Sequence, residues 1–211
     1  MKISNKVRHL LNFIGNIEAP QGYQTIYGNN QRHLKKPITS MTLNEILRVQ
    51  TTWSKAYGSS ATGRYQFMKR TLEGLKNELR MSGAEIFTAE LQDKLAYHLL
   101  KRRGYGMYMS GTIDRIEFGK RLAKEWASLP VLQNTKGAHR QIKRGQSYYS
   151  GDRLNKSLVK AGQVEKILTE LKDETVDIPV ETKKKKYVAQ GGLVTIISFI
   201  LYVVLKFFGV V

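Results

Sequence analysis

LLNFIGNIEAP, residues 10–20, ends an apolar helix on a glutamate and then stops it with a proline. Val7, Leu10, Leu11, Ile14 and Ile17 recur at helical spacing, which marks one buried face, and Ser4 stands where an N-cap belongs. Pro20 cannot continue the helix, so Glu18 falls at its C-terminus. A carboxylate there faces the negative end of the helix macrodipole, at a cost of about 0.3–1 kcal/mol when ionised. Contact with Ile14 and Ile17 adds desolvation, and both effects raise the pKa. A carboxyl that keeps its proton near neutral pH is what general-acid catalysis requires. On the residues alone, a glutamate salt-bridged to one of many cations is the competing reading.

Outward from this helix the chain reads as mostly helical. Thr42 and Glu45 form a T-x-x-E capping box ahead of Ile46, Leu47 and Val49. A third helix is expected over residues 65–79, with Phe67, Met68, Leu72 and Leu75 inward, and a fourth over 89–103 on Leu91, Leu95, Leu99 and Leu100. Asp114 and Glu117 open a helix that carries Ile116, Leu122, Ala123 and Trp126 and ends by Pro130. A last helix is expected over 155–171, burying Leu158, Val159, Val164, Ile167 and Leu168. GYQTIYGNN alternates in strand fashion and ends in turn residues, which predicts a hairpin within 22–36. The fold class expected is therefore α+β, mainly α, with a small β element beside the first helix.

Composition narrows the chemistry. The 211 residues hold 35 Lys and Arg against 17 Asp and Glu, a formal net charge of +18. Without cysteine there are no disulfides, thiolate metal sites or thiol nucleophiles, and four histidines leave little for a multi-histidine metal centre. Acidic residues are scarce enough to be informative: Glu18 and Glu45 are the only ones before Glu73, and Glu45 belongs to its capping box. A surface so cationic steers anionic polymers. Nucleic acid would be one such partner, but the basic residues are spread evenly and no nucleic-acid-binding module is recognisable, so no specific nucleic-acid binding is expected.

Three parts follow from charge and hydropathy: a domain over 1–171, a charged linker over 172–187, and an apolar segment, VAQGGLVTIISFILYVVLKFFGVV, over 188–211. A membrane span needs about 20 predominantly apolar residues. The segment supplies them, with Lys206 as its only charge, and Tyr187 and the run Lys183 to Lys186 stand where an interfacial anchor belongs. A C-terminal transmembrane helix in a lipid bilayer is thus expected.

Two further stretches could meet a ligand. SSATGRYQFM, residues 59–68, leads through small residues into an aromatic–amide pair, which offers Ser60, Tyr65 and Gln66. GQSYYSGDRLN, residues 145–155, offers Gln146, Ser147, Tyr148 and Tyr149 in a turn-rich setting, together with Asp152. Loop-to-helix entry and a packed surface loop are the plainer readings of the two.

Taken in order, Glu18, GRYQF at 63–67, the Gln92–Asp93 helix, WASLP at 126–130 and GQSYYSGD at 145–152 resemble the lambda-type phage endolysins over residues 5–171. Those are lysozyme-like muramidases that act on peptidoglycan as lytic transglycosylases. The chain departs from them in APQGYQ after Glu18, where the family has a Gly-containing turn directly after the acid. It departs again in its C-terminal segment, which looks more like the membrane-associated lytic enzymes of phages that carry a membrane.

The resemblance implies a lysozyme-like domain in which Glu18 is the catalytic acid. Ser60, Tyr65, Gln66, Gln146, Ser147, Tyr148 and Tyr149 are the candidate glycan-binding residues. The reaction implied is cleavage between N-acetylmuramic acid and N-acetylglucosamine with a 1,6-anhydro product, by chemistry that requires no metal and no cofactor. The implied location is a phage virion membrane or the host inner membrane. The alternative from a different class is a non-catalytic, membrane-anchored wall-binding or structural virion protein on the same fold.

Overall fold

A computed structural model describes residues 3–173. The helices in chain order are α1 (Asn5–Glu18), α2 (Leu43–Tyr57), α3 (Lys69–Glu78), α4 (Ala89–Arg102), α5 (Tyr105–Met109), α6 (Arg115–Glu125) and α7 (Ala161–Lys172). One two-stranded antiparallel sheet, β1 (Thr135–Lys136) with β2 (Gln141–Ile142), pairs Thr135 with Ile142. α1 packs against both α4 and α7, α6 packs on α7, and α2 pairs with α3. The core between them is a continuous cluster that includes Leu10, Ile14, Leu95, Leu99, Phe118, Leu122, Val164 and Leu168.

Helix starts follow their capping residues. Ser4 Oγ accepts from Val7 N–H, Thr88 Oγ1 from Leu91 N–H at 3.2 Å, and Asp114 Oδ1 from Glu117 N–H at 2.7 Å. The reciprocal box at α2 is formed, with Glu45 N–H donating to Thr42 Oγ1 at 3.2 Å and Thr42 N–H to Glu45 Oε2 at 2.7 Å.

Three sequence expectations are corrected. The hairpin within 22–36 does not form. The chain turns at Gly22, makes a single bridge from Ile26 to Thr62, and enters a 3₁₀ turn over Tyr27–His33. Gly28 and Asn29 both take positive φ (68° and 58°), which ends the extended run after one paired residue. The sheet lies instead at β1–β2, where the sequence shows little alternation.

The third helix starts at Lys69, not at residue 65. Residues 62–67 are a tight loop closed by a Thr62–Phe67 bridge, with Gly63 and Gln66 at φ 77° and 48°. The last helix starts at Ala161, and residues 155–160 run without helical structure ahead of it; Leu158, expected inside, is 65% exposed. The short α5 was not anticipated. Among the described residues no helix is long and apolar enough to cross a membrane. The expected span over 188–211 and the linker after Asp173 lie outside the described residues.

Two buried glutamines fix the 59–67 loop. Gln50 Nε2, from α2, donates to Ser60 O at 2.7 Å and to Phe67 O at 3.0 Å. Gln92, from α4, accepts from Arg64 N–H at 2.9 Å and donates to Tyr23 O and Phe87 O, each at 3.1 Å. The donors of both amides hold loop backbone as a sheet ladder would, while Gln50 Oε1 is buried without a partner.

Candidate active site

Four stretches of chain meet around a cleft of about 830 Å³: the end of α1, the turn over 25–29 with the 59–68 loop, the segment 125–128 after α6, and Tyr149 with the strap 154–158. Glu18 is the last residue of α1. The Ala19 N–H donates back to Gly15 O at 2.9 Å, so the helix closes directly behind the carboxyl, which is held in the cleft wall.

Burial raises the Glu18 pKa from 4.5 to about 7. The Ser128 hydroxyl donates to Glu18 Oε1, and this bond together with the Ser128 backbone partly offsets the rise, because both favour the carboxylate. Near pH 7 the group is thus divided between acid and carboxylate, which suits a residue that must give a proton and later take one.

A second carboxyl, Glu125, also lines the cleft. It is nearly enclosed, and Arg103 Nε holds it at 2.6 Å, so its charge is already met. Asp152 is not in the wall. Its oxygens accept from Leu154 N–H and Asn155 N–H at 2.9 Å and from the Asn155 amide, which shapes the bend that starts the strap.

The candidate binding residues divide into two groups. Gln66 and Tyr149 face the cleft with Glu18. Gln66 Nε2 donates to Gly63 O at 2.8 Å, and the Tyr149 hydroxyl donates to Lys124 O at 2.7 Å. The other five brace the walls from behind. Tyr65 is 2% exposed, and its hydroxyl donates to Asp93 Oδ1 at 2.6 Å; burial and that carboxylate both push its pKa upward. It packs inside the domain and offers no open face for stacking.

Ser60 accepts from Lys69 N–H at 3.1 Å at the start of α3, and Gln146 Oε1 accepts from Lys143 N–H at 2.8 Å. Ser147 is buried and donates to Ala127 O at 2.7 Å, next to Ser128. Tyr148 packs edge-on against Tyr149 with ring centroids 5.3 Å apart.

Sequence reasoning missed Ser128, Tyr27 and the strap. Ser128 stands inside the quoted WASLP stretch, and a lone hydroxyl between apolar residues just past a helix end was the available signal. Tyr27 is exposed on the cleft rim, at the point where a hairpin had been expected to pair it. No comparable signal marked Asn155 and Lys156, which reach the cleft only because the chain there is not helical. Among the described residues no His, Cys, Asp or Glu cluster could hold a metal ion.

The sequence model of the Endolysin family matches residues 15–164, which takes in all four stretches that build the cleft. The chain belongs to the endolysin family. No curated protein and no solved structure matches it. As an endolysin it is a phage enzyme that degrades peptidoglycan.

Proposed function

We propose that this endolysin is a lysozyme-like lytic transglycosylase of the lambda type, cutting the β-1,4 bond between N-acetylmuramic acid and N-acetylglucosamine. The observation that carries the reading is one carboxyl, Glu18, buried enough to hold its proton near pH 7, in a cleft whose other carboxyl is committed to Arg103. Two-carboxylate glycosidases need a second free acid, about 5–5.5 Å away for retention or about 6.5–9.5 Å away for inversion. A single acid is enough where the substrate supplies its own nucleophile.

Glu18 gives its proton to the glycosidic oxygen as the bond to muramyl C1 breaks. The carboxylate left behind accepts the proton of the muramyl C6 hydroxyl, whose oxygen bonds to C1 and closes the 1,6-anhydro ring. The acid is thereby restored without water. Gln66 and Tyr149 orient the sugar, and Ser128 keeps Oε1 occupied so that Oε2 carries the transferable proton.

Muropeptide analysis by mass spectrometry tests the reaction. Anhydro-muramyl ends released by the wild type, and none by Glu18→Gln, are the expected products. Reducing muramyl ends would make the enzyme a hydrolase. For location, the reading rests on sequence: residues 188–211 anchor the enzyme in a virion or host inner membrane. The full chain then floats with zwitterionic liposomes at high salt, and Ile197→Lys with Ile200→Lys abolishes flotation.

A further inference from the structure

Past the strap lies a second hollow of about 760 Å³, between residues 144–145 and 157–163. Leu158 belongs to the walls of both hollow and cleft, so the two adjoin at that side chain. The junction is fixed at the catalytic end: Leu158 N–H donates to Ser128 O at 2.8 Å, and Ser128 in turn holds Glu18. Whatever occupies the hollow therefore lies one residue from the group that grips the acid.

The chemistry of the hollow differs from that of the cleft. Its two charged wall residues, Arg144 and Lys160, are both cations. Glu165 holds the Arg144 fork, with Nη2 to Oε2 at 2.7 Å, which fixes its direction and leaves Lys160, an exposed side chain, as the mobile charge. On the near side of Leu158 the cleft adds Lys156. Exposed Leu158 and half-buried Val159 supply an apolar ledge between the cations. A bare sugar chain offers hydroxyls and one short lactyl carboxylate per muramyl unit, with no apolar side chain to lie on the ledge. An extended peptide with methyl side chains and free carboxylates uses both parts.

We propose that this hollow is a subsite for the carboxylate-bearing stem peptide of peptidoglycan, which branches from the muramyl lactyl group beside the bond under attack. The inference rests on the glycan-cleaving reading of Glu18, and it makes the enzyme prefer peptide-bearing strands over naked glycan.

Binding separates the two. The full chain carrying Glu18→Gln is titrated with soluble glycan strands bearing stem peptides, and with the same strands after an amidase has removed the peptides and the lactyl carboxylates so exposed have been converted to amides. Peptide-bearing strands bind about tenfold tighter, the scale of one charge-assisted contact. Adding Lys160→Glu brings the two affinities within about twofold, and Lys160→Gln gives an intermediate loss. A glutamate ahead of a helix start is compatible with the dipole of α7, so the fold is retained. Lys55→Glu, an exposed charge reversal at the end of α2, leaves the preference intact.

Equal affinity for the two strands, no binding to either, or a loss with Lys55→Glu as large as with Lys160→Glu overturns the subsite. Absence of glycosidic cleavage by the wild type, with the binding preference retained, overturns only the reading of Glu18.

Discussion

Replacing Glu18 by Gln is expected to stabilise the protein, and only above about pH 5. In the unfolded chain the carboxyl ionises at about 4.5, whereas in the fold it holds its proton to about 7. Between those values the unfolded state has lost a proton that the native state keeps, so stability falls as pH rises, and above 7 the full penalty persists. At 1.36 kcal/mol per pKa unit the upper bound is about 3 kcal/mol, and residual solvent contact reduces it to about 1–3 kcal/mol.

Glutamine keeps the shape and can still accept from Ser128, so it removes the charge and little else. Urea melts of the two proteins at pH 4.5 and 8.5 read the difference directly. The midpoints should nearly coincide at pH 4.5, and at pH 8.5 the variant should melt about 3–9 °C higher in a parallel thermal scan. A variant that is less stable at pH 8.5, or equally shifted at both pH values, would refute the account of a desolvated acid.

Cleavage by the wild type should decline above about pH 7 as Glu18 loses its proton. Ser128→Ala removes a bond that favours the carboxylate, so the alkaline limb of the pH–rate profile should move upward while the maximal rate falls about 10–100-fold. Tyr65→Phe should lower stability by about 1–2 kcal/mol with kcat on cell walls nearly unchanged, because the hydroxyl serves Asp93. Tyr149→Phe should alter KM instead, and turbidity clearance with denaturant melts on the same samples separates the two. Gly63→Ala drives a Cβ into Gln92 Oε1 at φ 77°, so a loss of about 2 kcal/mol or more is expected by calorimetry.

The helical framework was legible because its signals are local. Capping residues at Ser4, Thr42 and Asp114 marked helix starts, and Pro20 placed Glu18 at a helix end before any contact was known. What escaped depends on contacts far apart in sequence. Whether Tyr65 meets a ligand or packs inside is decided only by Asp93, 28 residues on, which receives its hydroxyl. Residues 65–67 continue the apolar spacing of the helix that follows, yet Gln50 and Gln92 hold the 62–67 backbone from two other helices, and that outweighs the local pattern. The hairpin failed for the reverse reason: an alternating pattern needs a partner strand, and Gly28 and Asn29 turn the chain away from one. Residues 155–160 look helical by apolar spacing, but the Leu158 N–H is taken by Ser128 O.

The acid and the hydroxyl that steadies it lie 110 residues apart, and the strap that closes the far wall comes later still. A chain cut between Ser128 and the strap keeps α1 and its glutamate but loses the far wall that shuts water away from the carboxyl. On the proposed reading such a piece holds its acid as an ordinary solvated carboxylate, so one cut far along the chain disarms a group near the other end of the domain.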